Sequence, residues 1–217
     1  MSKKEVYEVA FEDGMFVVKR DGKSMCGFKS RKALKTWSLN NNMVYTKFPI
    51  HDIMKHSYFT KKEIQDLEIW MYKAEKGGFF SWLISTQEKL DKKDSAKGLY
   101  SHVEVHFKSV GICWSSSEVD GGTRFKYIPR DGAKWDFFEQ EPTDLPKIAL
   151  RCEQITPARY DWRAIAHFLI PWIGDSDKRF ICSEGVHHVM MTDGTWGPLS
   201  FVPAPGDVYD IFLSKLR

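Results

Sequence analysis

No apolar run in the sequence approaches the roughly 20 residues that a membrane-spanning helix needs, which excludes a helical membrane protein. Cysteine is scarce and scattered. Cys26, Cys113, Cys152 and Cys182 form no Cys-x-x-Cys pair, so a zinc ribbon and a dithiol redox motif are excluded. Two disulfides remain open on count alone, but a chain of this size has no need of such staples, and a reduced compartment fits. Charge of one sign is also lacking. The 32 basic and 29 acidic side chains leave a net +3, too balanced to imply nucleic acid, and nucleic acid is not an expected partner. Residues 1–99 carry 19 of the basic and 13 of the acidic groups, yet clusters such as Lys29-Ser30-Arg31-Lys32 and Lys92-Lys93 read as solvated faces. No internal repeat and no low-complexity tract occurs. Met1-Ser2-Lys3-Lys4-Glu5 passes straight into strand-like alternation without the apolar core of a signal peptide, so a soluble, cytoplasmic protein is expected.

What is present is a globular composition. Of 217 residues, 42% are hydrophobic and 14% aromatic, enough for one medium domain or one domain with an appendage. Tyr7, Val9 and Phe11 alternate before Asp13-Gly14, and Met15-Phe16-Val17-Val18 precede Asp21-Gly22, which predicts strands closed by Asp-Gly hairpin turns. Ser30 is placed to cap a short helix carrying Ala33, Leu34 and Trp37 on one side. Thr60-Lys61-Lys62-Glu63 has capping-box spacing and is followed by Ile64, Leu67, Trp70, Met71 and Ala74, which predicts a helix stopped at Gly77-Gly78. A second apolar element, helical through Leu90, and a polar loop over 91–98 come next. Phe107–Trp114 and Thr123–Ile128 predict an antiparallel meander around Asp120-Gly121-Gly122. Trp135–Glu139 and Ile148–Cys152 are further strand candidates, and Tyr160, Ala164, Ile165, Phe168 and Leu169 predict a helix over 157–170. A proline-rich stretch from Val202 opens the C-terminal segment.

Two stretches carry chemistry. In Arg179-Phe180-Ile181-Cys182-Ser183-Glu184 a strand-like run meets a helix, because Cys182, Val186, Val189 and Met190 recur at i, i+4, i+7 and i+8 until Asp193-Gly194. Unpaired amides and the positive dipole end of a first helical turn favour a thiolate there. A free cysteine is more commonly a buried space-filler, so the thiol needs a base to mean more. Tyr100-Ser101-His102-Val103-Glu104-Val105-His106-Phe107 supplies one: its alternation predicts a strand with His102, Glu104 and His106 on one polar face. An imidazole can take the thiol proton, and a carboxylate can orient the ring and stabilise its charged form. A wet edge strand would explain the same polar face. A metal site on the three side chains is disfavoured, since i to i+4 on a strand spans about 13 Å whereas ligand bonds are about 2 Å.

The pairing of Ser101-His102-Val103-Glu104-Val105 with a later Phe180-Ile181-Cys182-Ser183-Glu184 resembles the circularly permuted, NlpC-like branch of papain-fold cysteine hydrolases, in which histidine precedes cysteine. Ser115–Lys126, Lys134-Trp135-Asp136-Phe137 and Tyr160-Asp161-Trp162 resemble spacer segments of its phage and bacterial members. The resemblance implies Cys182 as nucleophile, His102 as base and Glu104 as the third, polar member, although related folds take that group from the next strand, here around Ser115 to Ser117. Gly185-Val186-His187-His188 departs from the family's apolar, alanine-rich helix start; His187 and His188 read as the helix's wetter side, or as lining the cleft. The implied fold is α+β and papain-like, a permuted NlpC-type antiparallel sheet packed against the nucleophile-bearing helix. Residues 1–75 would form an N-terminal α/β extension and 76–217 the hydrolase domain. The implied activity is hydrolysis or acyl transfer on a peptide, amide or ester through a thioester, with no cofactor and no metal. The alternative is a papain-fold module of phage or bacterial origin that binds a partner without catalysis.

Overall fold

Two Asp-Gly pairs shape the start of the chain. Asp13 and Gly14 (φ 50° and 75°) and Asp21 and Gly22 (φ 50° and 73°) take left-handed conformations, which these residues tolerate and which match the twist of tight hairpins. They join β1 (Tyr7–Glu12), β2 (Met15–Arg20) and β3 (Lys23–Phe28) into an antiparallel meander. The computed structural model describes residues 5–55, 67–76, 99–162, 164 and 179–215. Helix α1 (Arg31–Asn40) is capped by Ser30, whose hydroxyl accepts the Ala33 N–H at 3.2 Å. After α1, β4 (Tyr45–Lys47) runs parallel to β1, and the short α2 (Ile50–Lys55) follows.

The sheet continues with β5 (Leu67–Lys73), β6 (Tyr100–Phe107), β7 (Ile112–Ser117), β8 (Gly122–Lys126) and β9 (Trp135–Gln140). Its order is β3-β2-β1-β4-β8-β7-β6-β5-β9, with the two-residue strands β10 (Arg159–Tyr160) and β11 (Arg179–Phe180) attached at β8. All pairs are antiparallel except β1 with β4 and β10 with β11, so the fold is α+β with a mixed sheet. Tyr45 pairs with Phe125, and β5 lies between β6 and β9, so strands from residues 1–75 and 76–217 share one sheet.

The pairing register gives the sheet two unlike faces. One carries Ile69, Met71, Val103, Val105, Ile112, Trp114 and Phe125, and against it pack α3 (Leu145–Gln154), α4 (Cys182–Met191) and α5 (Pro205–Lys215). Each large apolar side chain fully buried here contributes about 1.5–3 kcal/mol. The other face carries Glu68, Trp70 and Tyr72 of β5, His102, Glu104 and His106 of β6, Ser115 of β7 and Arg124 of β8, around a smaller cluster of Trp70, Cys113 and Trp135.

Several segments differ from the sequence expectation. Leu67–Lys73 is a strand, not the second half of a helix. Buried between β6 and β9, with Leu67, Ile69 and Met71 on one face and Glu68 and Trp70 on the other, it is apolar enough on both sides to mimic helical spacing. Residues 60–63 of the expected capping box, the element through Leu90 and the 91–98 loop lie outside the described residues. Ile148–Cys152 belongs to helix α3: the Asp144 carboxylate accepts the Lys147 N–H at 3.0 Å, Pro146 fits the first turn, and Leu145, Ile148, Ala149 and Cys152 share its buried side. Tyr160 belongs to strand β10; Trp162 and Ala164 are helical, and residues 165–170 lie outside the described range. The proline-rich stretch leads into α5, which starts at Pro205, where a missing N–H costs nothing.

Candidate active site

Cys182 is delivered by short strands. β10 and β11 pair in parallel, Arg159 with Arg179 and Tyr160 with Phe180, and β10 is held to β8 through Arg159 and Gly122. Gly122 (φ 145°) allows this approach, since a Cβ there would lie 2.0 Å from the Ala158 carbonyl oxygen. The Phe180 carbonyl accepts from the Ser116 hydroxyl at 2.5 Å and from the Asp161 N–H at 3.3 Å. Two residues later Cys182 opens α4. The Glu184 carboxylate accepts the Ile181 N–H at 3.3 Å, and the first-turn amides of Cys182 and Ser183 have no carbonyl inside the helix to bond. Gly185 seats the helix on the sheet: a Cβ there would lie 3.3 Å from the Trp114 ring. Val186, Val189 and Met190 are buried beside it.

His102 meets this thiol from β6. The paired register of β6 and β7 runs from Phe107 with Ile112 to Val105 with Trp114, and past it the Ser115 hydroxyl donates to the Val103 carbonyl at 2.7 Å. Cys182 stands beside His102, close enough to act on its charge, and the ring Nε2 lies 2.8 Å from Glu104 Oε1. With Nε2 on the carboxylate, Nδ1 is the ring nitrogen left for sulfur. Burial works against the charged ring, but neighbouring Cys182, then Glu104, push its pKa up to about 9. Glu104 is fully buried. Burial would raise its pKa, but the Arg124 charge and the His102 and Arg124 hydrogen bonds hold it down at about 2.

Arg124 grips that carboxylate with both terminal nitrogens, Nη1 to Oε2 at 2.7 Å and Nη2 to Oε1 at 2.6 Å, while its Nε donates to Asp120 Oδ2 at 2.8 Å. Lys126 reaches Asp120 Oδ1 at 3.5 Å. Tyr160 of β10 is near enough to Cys182 to feel its charge; burial first, then the charges of Cys182, Glu118 and Asp161, raise its phenol.

The structure thus brings Cys182, His102 and Glu104 together and leaves the other candidates elsewhere. Ser115 and Ser116 give their hydroxyls to backbone carbonyls. His106 turns to Glu68 at 2.9 Å, which also accepts from Trp70 at 2.8 Å and Arg130 at 2.7 Å; burial lowers the His106 pKa more than Glu68 raises it. His187 is buried against the Gly197 carbonyl at 2.9 Å, and half-buried His188 lies 2.6 Å from Arg151 of α3, so neither is the helix's wetter side. Among the described residues no group of three His, Cys, Asp or Glu side chains is placed to hold a metal ion. Arg124, Asp120 and Tyr160 escaped sequence reasoning as site residues. The alternation Arg124-Phe125-Lys126 marks a polar strand face, but only the strand order puts Arg124 within reach of Glu104.

The chain matches no protein-family model, no curated protein and no solved structure. No helix among the described residues is long and apolar enough to cross a membrane.

Proposed function

We propose that this protein is a cysteine hydrolase or acyltransferase acting on an amide or ester, with Cys182 as nucleophile, His102 as general base and acid, and Glu104 holding the ring. The observation that carries the reading is His102 itself, hydrogen-bonded to a buried carboxylate and standing beside a thiol at a helix start. A base oriented by a third group, in contact with a nucleophile, is the arrangement that acyl transfer requires. His102 takes the Cys182 proton; the thiolate adds to the substrate carbonyl; the collapsing adduct expels an amine or alcohol that leaves with the proton from His102, and a thioester remains. Water, or an acceptor alcohol or amine, then gives its proton to His102 as it attacks the thioester, and sulfur is released. The Cys182 amide and its first-turn neighbours are the donors for the oxyanion, and losing one such donor typically costs about 10²–10³ in rate. The fold reading that goes with this activity is the permuted NlpC-like papain class, supported by the order histidine then cysteine and by a strand-borne base facing a helix-borne thiol.

The test is iodoacetamide labelling of each cysteine against pH, read by mass spectrometry in wild type and His102→Ala. Cys182 labels fast well below pH 8 in wild type, and His102→Ala loses that advantage while still folded. If Cys182 reacts no faster than half-buried Cys26, the nucleophile is not activated, and a non-catalytic binding module takes this reading's place.

A further inference from the structure

Glu104 does not meet His102 alone. Its carboxylate is fully buried and both of its oxygens are held by Arg124, whose guanidinium is itself almost fully buried and braced from behind by Asp120. Arg124 sits on β8 opposite Ser115, and Glu104 lies one strand further on, so the guanidinium crosses β7 above a serine whose hydroxyl is turned towards Val103. The small residue leaves the path open. Behind Cys182 and His102 the result is a row of alternating charge: Glu104, Arg124, Asp120 and, at its outer end, Lys126. Of the neighbouring groups, Cys113 on β7 is a buried thiol held neutral by its desolvation, and Tyr160 on β10 is near enough to Cys182 to feel its charge.

A lone buried carboxylate beside His102 would do two unhelpful things. It would over-stabilise the imidazolium, and it would compete for the proton the ring must return to the leaving group. A guanidinium fork across both oxygens limits both problems: it fixes the carboxylate plane, keeps the group ionised and offsets part of its charge. We infer that Arg124 is a positioning residue of this site, holding Glu104 in place across β7 and offsetting its charge so that His102 carries the transferred proton. This rests on the reading of Cys182 and His102 as nucleophile and base.

The experiment is a charge cycle on the full chain: the pH profile of Cys182 alkylation in wild type, Arg124→Gln, Glu104→Gln, Glu104→Gln/Arg124→Gln and Arg124→Lys, each checked for folding by circular dichroism. Arg124→Gln leaves excess negative charge and moves the acid limb of the profile up. Glu104→Gln leaves excess positive charge and moves it down. Each shift is about one pH unit, or about tenfold in rate at a fixed pH on the limb. The double variant restores the balance and returns the limb close to wild type, a rescue that a purely structural arginine would not give. Arg124→Lys keeps the charge without the fork: its limb stays with wild type while its plateau rate falls several-fold. An Arg124→Gln profile superimposed on wild type overturns the inference, as does a double variant whose limb stays a unit away. Should a Gln variant fail to fold, Arg124→Lys decides, and a plateau rate equal to wild type overturns the positioning role. If wild-type Cys182 shows no enhanced labelling, the reading of the active pair fails instead. The two failures are therefore distinct.

Discussion

At the scale of single residues, His102 is where the site can be read by titration. The Cys182 charge is the largest influence raising its pKa to about 9, ahead of Glu104. Removing the sulfur therefore lowers it: in Cys182→Ala, His102 titrates below its wild-type value, as followed by NMR of the ring protons. An unchanged titration would mean that the thiol and the ring do not share a proton. Glu104 sets an opposite dependence at acid pH. Its folded pKa, about 2, lies below the ordinary 4.5, so the stabilisation it provides is complete above about pH 4.5 and is lost as pH falls towards 2. Urea unfolding of the wild type weakens over that window. Glu104→Gln/Arg124→Gln, which removes the buried pair together, shows a shallower fall; an equal slope in the two proteins would place the acid sensitivity elsewhere, with Glu68 and its three donors the next carboxylate to examine.

At the scale of elements, legibility followed how many partners a segment has. β6 was readable because its strict alternation survives burial, with charged or polar groups at 102, 104 and 106 and valines between them. The helix at Cys182 was readable because its stripe and its Gly194 stop are local features. β5 was not, because a strand clasped on both edges and covered on both faces loses the alternation that identifies it. The pairing of His102 with Cys182 came from residue types and family resemblance, whereas Arg124 depends on strand order, which no local pattern encodes. The same dependence gives Gly122 its weight. Its missing Cβ lets β8 approach Ala158, and that approach carries β10, then β11, then Cys182. Gly122→Ala combines an unfavourable φ with a backbone overlap, so a loss of about 2 kcal/mol or more is expected in urea unfolding. Rapid Cys182 labelling falls with it in the protein that still folds. Normal Cys182 labelling in a folded Gly122→Ala protein would show that the site does not depend on this contact.

At the scale of the whole molecule, the N-terminal strands and the site share one sheet. The buried side chains of Val18, Leu34 and Tyr45 form a single apolar cluster with Phe125, Val103, Trp114 and Val186, which reaches from the first meander to the helix that carries Cys182. Two further ties join the same parts: Tyr45 pairs with Phe125 across β4 and β8, and Arg31 of α1 donates to the Ser109 carbonyl in the β6–β7 turn. A perturbation at one end should then be felt at the other. Leu34 is fully buried, so Leu34→Ala leaves a cavity and costs about 2–5 kcal/mol. In a two-state molecule that loss lowers one transition for every probe. Urea unfolding followed by far-ultraviolet circular dichroism and by exposure of Cys152, on the buried side of α3, therefore shifts to the same lower midpoint in Leu34→Ala. If circular dichroism splits into two steps while Cys152 keeps its wild-type midpoint, the N-terminal segment folds as a separate unit docked on the sheet. A shared shift instead makes residues 5–47 part of the scaffold that holds β8, and through β8 both Arg124 and the strand pair leading to Cys182.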